Sequence, residues 1–466
     1  MPVAHDLRSM TASELVHLFR TGAASPVEAT RAALDRIDKL NSRYNAFCLV
    51  DDERAMDAAR AAEMRWRKGE PLSYIDGVPT TIKDIILTTG WPTLRGSQTI
   101  DPAQDWSEDA PAVARLREAG AVLLGKTTTP EFGWKAICES PLTGITRNPW
   151  DERRTSGGSS GGAAVAASLR MGALHLGTDG GGSIRIPCGF TGVFGIKPTF
   201  GLVPAYPLSP FGTIAHLGPI TASVEDAARL LTVIARPDHR DWYSLPHQPR
   251  DFTIGIKQGV RGLRMALSLD LGYASVDPEI RALVESAAGK LAEAGAIVQR
   301  RDPGFADPIE LFNVLWFSGA ASVRSAIARE KWAVLDPGFD RIASLGEAID
   351  HMEYVRCVNA RADLGLQMAR FHREFDVLLT PTLPIPAFET GHLAPQGTDQ
   401  TNWTHWTPFS FPFNLTQQPA ASIPCGFTSA GLPVGMQIVA AKYQEDLVLR
   451  VARAFEELCP IKLPAI

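Results

Sequence analysis

Two segments of this chain share one shape: a helix, a glycine stop and a short apolar strand. Arg115-Leu-Arg-Glu-Ala-Gly120 runs into Ala121-Val-Leu-Leu124. Lys290-Leu-Ala-Glu-Ala-Gly295 runs into Ala296-Ile-Val298, after a helix opened by Asp277-Pro278. A glycine after the last helical turn ends the helix, and a short β-branched apolar run behind it reads as a buried strand. Such units layer helices on a parallel or mixed sheet. Two of them do not make a repeat array. The expected fold class is therefore α/β, a single large domain with a central mixed, largely parallel β-sheet covered by helices on both faces.

The rest of the chain fits one domain over 1–466. Residues 1–70 read as helices: Thr11-Ala-Ser-Glu14 and Ser25-Pro26-Val27-Glu28 are capping boxes. Residues 71–300 alternate strands and helices, and a glycine-rich turn is followed by a further helix from Gly162 through Leu169. Residues 301–375 are mostly helical, and 376–466 hold strands, an aromatic loop and a closing helix. Further strands are expected at Thr253–Ile256, Val377–Thr380 and Val434–Val439. The Pro/Thr/aromatic stretch from Pro381 to Pro419 is long enough to be functional.

With 466 residues, 45% apolar and 21% charged, the chain can bury a sizeable core. A net charge of −5 supplies no electrostatic attraction for nucleic acid or anionic membrane. The six cysteines are scattered singly, so reduced and mostly buried thiols are expected, with no metal. The N-terminal residues lack an apolar leader and no run approaches the length of a membrane span, so the expected location is the cytoplasm.

Gly120-Ala-Val-Leu-Leu-Gly125-Lys126-Thr127 satisfies the phosphate-loop pattern. Its apolar strand lies between the glycines, however, and Pro130 soon follows the lysine, which is the wrong context for a phosphate cradle. Two glycine-punctuated serine segments carry more chemistry. Gly157-Gly158-Ser159-Ser160-Gly161-Gly162 is followed by Gly177-Thr178-Asp179-Gly180-Gly181-Gly182-Ser183-Ile184-Arg185. Glycine runs can turn backbone N–H groups toward a small volume, and a serine closing one is a nucleophile beside its own oxyanion hole. Upstream, Tyr74-Ile-Asp-Gly77-Val-Pro79-Thr-Thr-Ile-Lys83-Asp84 places Lys83 inside an apolar, strand-like run. Singly, such a lysine is a side chain reaching back to solvent, and such serines are turn or cap residues. Their joint occurrence calls for more.

The words Asp76-Gly77-Val78-Pro79…Lys83-Asp84, Gly125-Lys126-Thr127, Asn148-Pro149-Trp150, the two serine segments, Gly195-Ile-Lys-Pro-Thr199 and Leu432-Pro-Val-Gly-Met-Gln437 resemble the amidase signature family. The resemblance spans about residues 10–455 and is weakest over 300–420. It implies a hydrolase with Ser183 as nucleophile, Ser159 as a bridging serine on a cis peptide and Lys83 as terminal base. Gly180, Gly181, Gly182 and Ser183 would supply oxyanion N–H donors; Ser160, Thr178, Asp179 and Arg185 would brace the site. A lysine base must be neutral, which demands a pKa lowered by burial from ~10.4. Gly180 stands where relatives usually carry a larger residue. A Ser–His–Asp arrangement through His175 or His216 is the competing triad.

Aromatic side chains cluster outside these words, and Trp134, Trp403, Trp406 and Phe409 are the candidates for the substrate wall. The expected reaction is cleavage of the C–N bond of a carboxamide with an apolar or aromatic part, without cofactor. The implied partner is a small-molecule amide, with no nucleic acid and no membrane, and a homodimer is left open. Two other readings use the same triad. One is the A subunit of a tRNA-dependent amidotransferase, whose acidic glutamine-holding position would fall near Thr407. The other is a carbamate hydrolase.

Overall fold

The computed structural model describes residues 6–246 and 250–465. In chain order the strands are β1 Phe47–Val50, β2 Pro79–Lys83, β3 Val122–Thr127, β4 Glu139–Ser140, β5 Gly144–Ile145, β6 Leu174–Asp179 and β7 Phe194–Lys197. They continue as β8 His216–Thr221, β9 Arg264–Leu267, β10 Ile297–Arg300, β11 Val377–Pro381, β12 Ala420–Phe427 and β13 Pro433–Ala440. Eleven of them make one sheet, ordered β1-β3-β2-β6-β8-β7-β12-β13-β11-β9-β10, while β4 and β5 form a separate ribbon. Parallel pairing joins β3, β2 and β6, and again β11, β9 and β10. Antiparallel strands knit these two blocks together, giving the mixed sheet expected of the chain.

Side chains alternate across the sheet, as the two-residue period requires. In β11, Val377 and Leu379 enter one apolar core while Leu378 enters the other. The first core is closed by helices that include 224–234, 278–293 and 445–458. The second takes the helices 309–325 and 337–347 and most of the aromatic loop. Helices thus cover both faces.

Both capping boxes form: Thr11 and Glu14 open the helix Ala12–Thr21, and Ser25 and Glu28 open Pro26–Tyr44. The N-terminal region is not wholly helical, because β1 lies within it and pairs antiparallel with β3. The expected strand Thr253–Ile256 is a turn. Gly255 adopts φ +79° and the Asp251 carboxylate accepts from Thr253 N and Oγ1, which curls the backbone out of extension. All six thiols are free, but only Cys138 and Cys188 are buried and Cys48 is exposed. Among the described residues no helix is long and apolar enough to cross a membrane.

Candidate active site

Because β2 and β6 run parallel, their C-terminal ends reach the same edge of the sheet. Lys83 is the last residue of β2, and Thr178 and Asp179 are the last two of β6. Ser160 precedes the helix Gly161–Ser168, and Ser183 lies just ahead of the helix Arg185–Thr191. Two hydrogen bonds, from Thr178 N to Ser160 Oγ at 3.2 Å and from Ser160 N to Ser183 O at 3.1 Å, tie the serine segments to each other and to the sheet.

The peptide bond between Gly158 and Ser159 is cis. Gly158 packs against the Ile137 backbone so closely that a Cβ would lie 2.6 Å from its carbonyl oxygen. The Ser159 hydroxyl lies beside Lys83. Lys83 Nζ lies 2.6 Å from Ser159 Oγ, 3.0 Å from Ser160 Oγ and 2.8 Å from Thr178 Oγ1.

Among the described residues three lysines are fully buried, and their partners differ. Lys126 donates to the Ile86 carbonyl and to the Thr93 and Thr88 hydroxyls, with Asp84 at 4.0 Å. That arrangement replaces any phosphate role for the Gly120–Thr127 pattern, whose strand β3 fills the middle of it. Lys197 donates to the carbonyls of Pro198 and Gln418. Only Lys83 meets hydroxyls alone, and a hydroxyl can donate as well as accept. Burial pulls Lys83 down to about 7, so a neutral amine is available near neutral pH.

Asp179 organises the turn before Ser183. Its carboxylate accepts from Gly182 N at 2.8 Å and Ile184 N at 3.2 Å, and pairs with the Arg185 guanidinium through both oxygens at 2.9 Å. Burial alone would raise Asp179, but Arg185, Lys197 and Asn414 outweigh it and hold the carboxyl below the usual range. Arg185 is itself tied to Asn414 Oδ1 at 2.6 Å and Gln437 Oε1 at 2.7 Å. Those two partners bring the C-terminal third of the chain to the site. The expected set of oxyanion donors needs one correction: the Gly182 N–H is committed to Asp179. The N–H groups of Gly180, Gly181 and Ser183 make no such bond among the described residues.

Ser159 and Ser183 open onto one cavity of about 280 Å³. Its apolar wall includes Phe132, Phe200, Tyr206, Phe211 and Trp316. Trp134, Trp403, Trp406 and Phe409 are not among its lining residues; all four are buried in the second core. Two of them support the site from behind: Trp134 O accepts from Trp316 Nε1 at 3.0 Å, and a Cβ on Gly181 would lie 2.6 Å from the Trp403 ring. The space freed at Gly180 is taken by Trp316, whose ring would lie 3.0 Å from a Cβ there, so the absent side chain does not widen the mouth. Trp316 stacks on Phe211 with ring centroids 4.0 Å apart. The wall comes largely from the strandless stretch between β7 and β8 and not from the 381–419 loop. Its proline-rich sequence, Val203-Pro-Ala-Tyr-Pro-Leu-Ser-Pro210, was the available signal.

Neither histidine offers a base. His175 Nδ1 lies 2.9 Å from Thr81 Oγ1, and burial lowers its pKa to about 3. His216 borders the cavity, but its Nδ1 faces the carbonyls of Ile214 and Asp179, and burial first, then Lys197, hold it well below its usual range. Among the described residues no group of three or more His, Cys, Asp or Glu side chains could hold a metal ion.

The family model for amidases matches residues 28–449. The A subunit of the glutamyl-tRNA(Gln) amidotransferase of Myxococcus xanthus is 36% identical, over 97% of this chain and 97% of its own length. An acylamidase of Rhodococcus erythropolis is 35% identical, over 98% of this chain and 96% of its own. The crystal structure of a bacterial aryl acylamidase superposes with a TM-score of 0.90 at 29% identity, over 97% of this chain and 96% of that one. On the family match and on these full-length relatives, the chain belongs to the amidase signature family of amide-hydrolysing enzymes.

Proposed function

We propose that the chain is a free-standing amidase that cleaves the C–N bond of a carboxamide with an apolar or aromatic part, through an acyl-enzyme on Ser183. The observation that carries this is the Lys83 amine, buried, bonded only to hydroxyls and 2.6 Å from Ser159 Oγ. In the proposed cycle, neutral Lys83 takes the Ser159 proton as Ser159 takes that of Ser183. The Ser183 oxygen then attacks the amide carbonyl. The resulting oxyanion is met by N–H groups among Gly180, Gly181 and Ser183; losing one donor of this kind costs about 3 kcal/mol. The same protons return to the departing nitrogen, and water releases the carboxylate by the reverse path. A carbamate presents the same carbonyl to the same groups.

The glutaminase reading has its own support in the 36% identity to an amidotransferase A subunit. Against it, the resemblance puts the acidic position of that role near Thr407, where the sequence offers no carboxylate from Asn402 to Phe413. Thr407 is buried, with its hydroxyl donating to Thr404 O at 3.3 Å.

The test is a panel of glutamine, small aliphatic amides, aryl acylamides and carbamates, run on the purified chain alone. Turnover of an acylamide by the lone chain is expected. Glutamine hydrolysis that appears only with added partner subunits would overturn the free-standing reading in favour of the second.

A further inference from the structure

The cavity that holds Ser159 and Ser183 is apolar over most of its wall, and the charged side chains among its lining residues are Arg95 and Asp241. Asp241 is satisfied: its two oxygens accept from the backbone N–H groups of Ala205 and Tyr243, each at 2.8 Å. Arg95 is not. Its side chain makes no hydrogen bond or ion pair among the described residues, and its Nε is buried without a partner. A guanidinium carries five N–H donors and stays charged, so a half-buried one whose Nε finds no acceptor carries an unmet cost. The opposing charge that acts on it is Asp84. That carboxylate already faces Leu94 N at 3.3 Å, Gly96 N at 3.4 Å and Lys126 Nζ at 4.0 Å, and burial raises it to about 6.

The backbone supplies a second sign. Arg95 has φ +54°, a left-handed conformation costly to a residue with a side chain, and Gly96 follows at +63°. The Arg95 carbonyl accepts from Phe132 N at 2.7 Å, which joins this turn to the cavity wall. Local geometry would favour glycine at position 95, yet an arginine stands there with nothing to bind.

We propose that Arg95 receives a carboxylate carried by the substrate, so that the enzyme's substrates are amides bearing an anionic group on the acyl or the amine part. This rests on the amidase reading above. A planar guanidinium matches a carboxylate with two parallel hydrogen bonds, strongest where water is excluded.

The experiment compares two matched pairs of anilides. Glutaric acid mono-4-nitroanilide against pentanoic acid 4-nitroanilide places the carboxylate on the acyl side. 4-(Butanoylamino)benzoate against butananilide places it on the amine side. In one pair the wild-type enzyme is expected to favour the carboxylated member by about tenfold or more in kcat/KM, mainly through KM. Arg95→Gln should remove that ratio, Arg95→Lys should keep part of it, and Arg95→Gly, which relieves the left-handed backbone, should lose it while folded. A ratio unchanged in Arg95→Gln and Arg95→Gly, or a neutral preference in both pairs, overturns the proposal. Turnover of neither member of either pair would count against the amidase reading instead. In that event, thermal stabilisation by 4-phenylbutanoate decides the anion site: abolished in Arg95→Gly it stands, retained it falls.

Discussion

The Lys83 amine and the Ser159 hydroxyl lie 2.6 Å apart, both buried, with no carboxylate bonded to either. A lysine so placed has no bonded carboxylate to hold its proton, and burial lowers it to about 7. In the proposed cycle the active form is the neutral amine, so kcat/KM should rise with pH through about 7 and level off above it. A pH–rate profile that instead follows a limb lost on replacing His216 would transfer the base to histidine.

The same shift has a consequence for stability. Lys83 titrates near 7 in the folded chain and near 10.5 when unfolded, so the unfolded chain binds more protons between those values. Stability from this group therefore increases as pH rises from 7 toward 10.5 and is lost as pH falls, by up to about 1.4 kcal/mol per pH unit. Lys83→Met should be inactive, and its melting temperature relative to wild type should be highest at about pH 7 and fall toward about pH 10. A difference that stays flat across that range would argue against a depressed lysine.

Ser183→Ala should lower kcat by about 10⁴- to 10⁶-fold with the melting temperature nearly unchanged. The hydroxyl makes no hydrogen bond among the described residues, so its loss breaks no structural contact. Single-turnover assays that detect an acyl-enzyme in the parent and none in the variant would check the assignment. Near-parental turnover would remove Ser183 from the chemistry.

Asp179→Asn strikes the fold and the site together. It leaves the buried Arg185 guanidinium without its carboxylate and weakens the hold on Gly182 N. Breaking a buried pair from one side costs about 3–5 kcal/mol. Urea unfolding should show a loss of that order, and the double variant Asp179→Asn/Arg185→Met should recover part of it.

Trp316→Ala should enlarge the cavity beside Gly180 and shift selectivity toward bulkier amides. Its ring stacks on Phe211 and its indole N–H reaches Trp134 O. A stability loss of about 3–5 kcal/mol should therefore accompany the change. Relative kcat/KM across acyl groups of increasing width checks the first effect, and thermal unfolding checks the second.

Much of the candidate site was readable as local words. The capping boxes at Thr11 and Ser25, the helix–glycine–strand units, and the two glycine–serine segments each depend on residues close in sequence. Their physics, from capping bonds to left-handed glycines and a strand's period of two, acts over a few residues. Position in a sheet is a different matter. Lys83 and Thr178 lie 95 residues apart, and only the parallel pairing of β2 with β6 brings their side chains within 2.8 Å. Asn414 and Gln437 anchor Arg185 across separations of 229 and 252 residues. The aromatic side chains show the limit most plainly. Trp403 and Trp316 are alike as apolar rings, and packing alone puts one behind Gly181 and the other on the cavity wall.

Short contiguous patterns were thus enough for the fold class, the family and, with it, amide hydrolysis as the general chemistry. Folding in three dimensions settled which of three buried lysines faces only hydroxyls, which backbone N–H groups remain free, and which aromatic rings line the cavity. It also left the Arg95 Nε without a partner among the described residues. Those outcomes depend on burial and on partners distant along the chain, and burial sets the charge state of a lysine as surely as its own chemistry does.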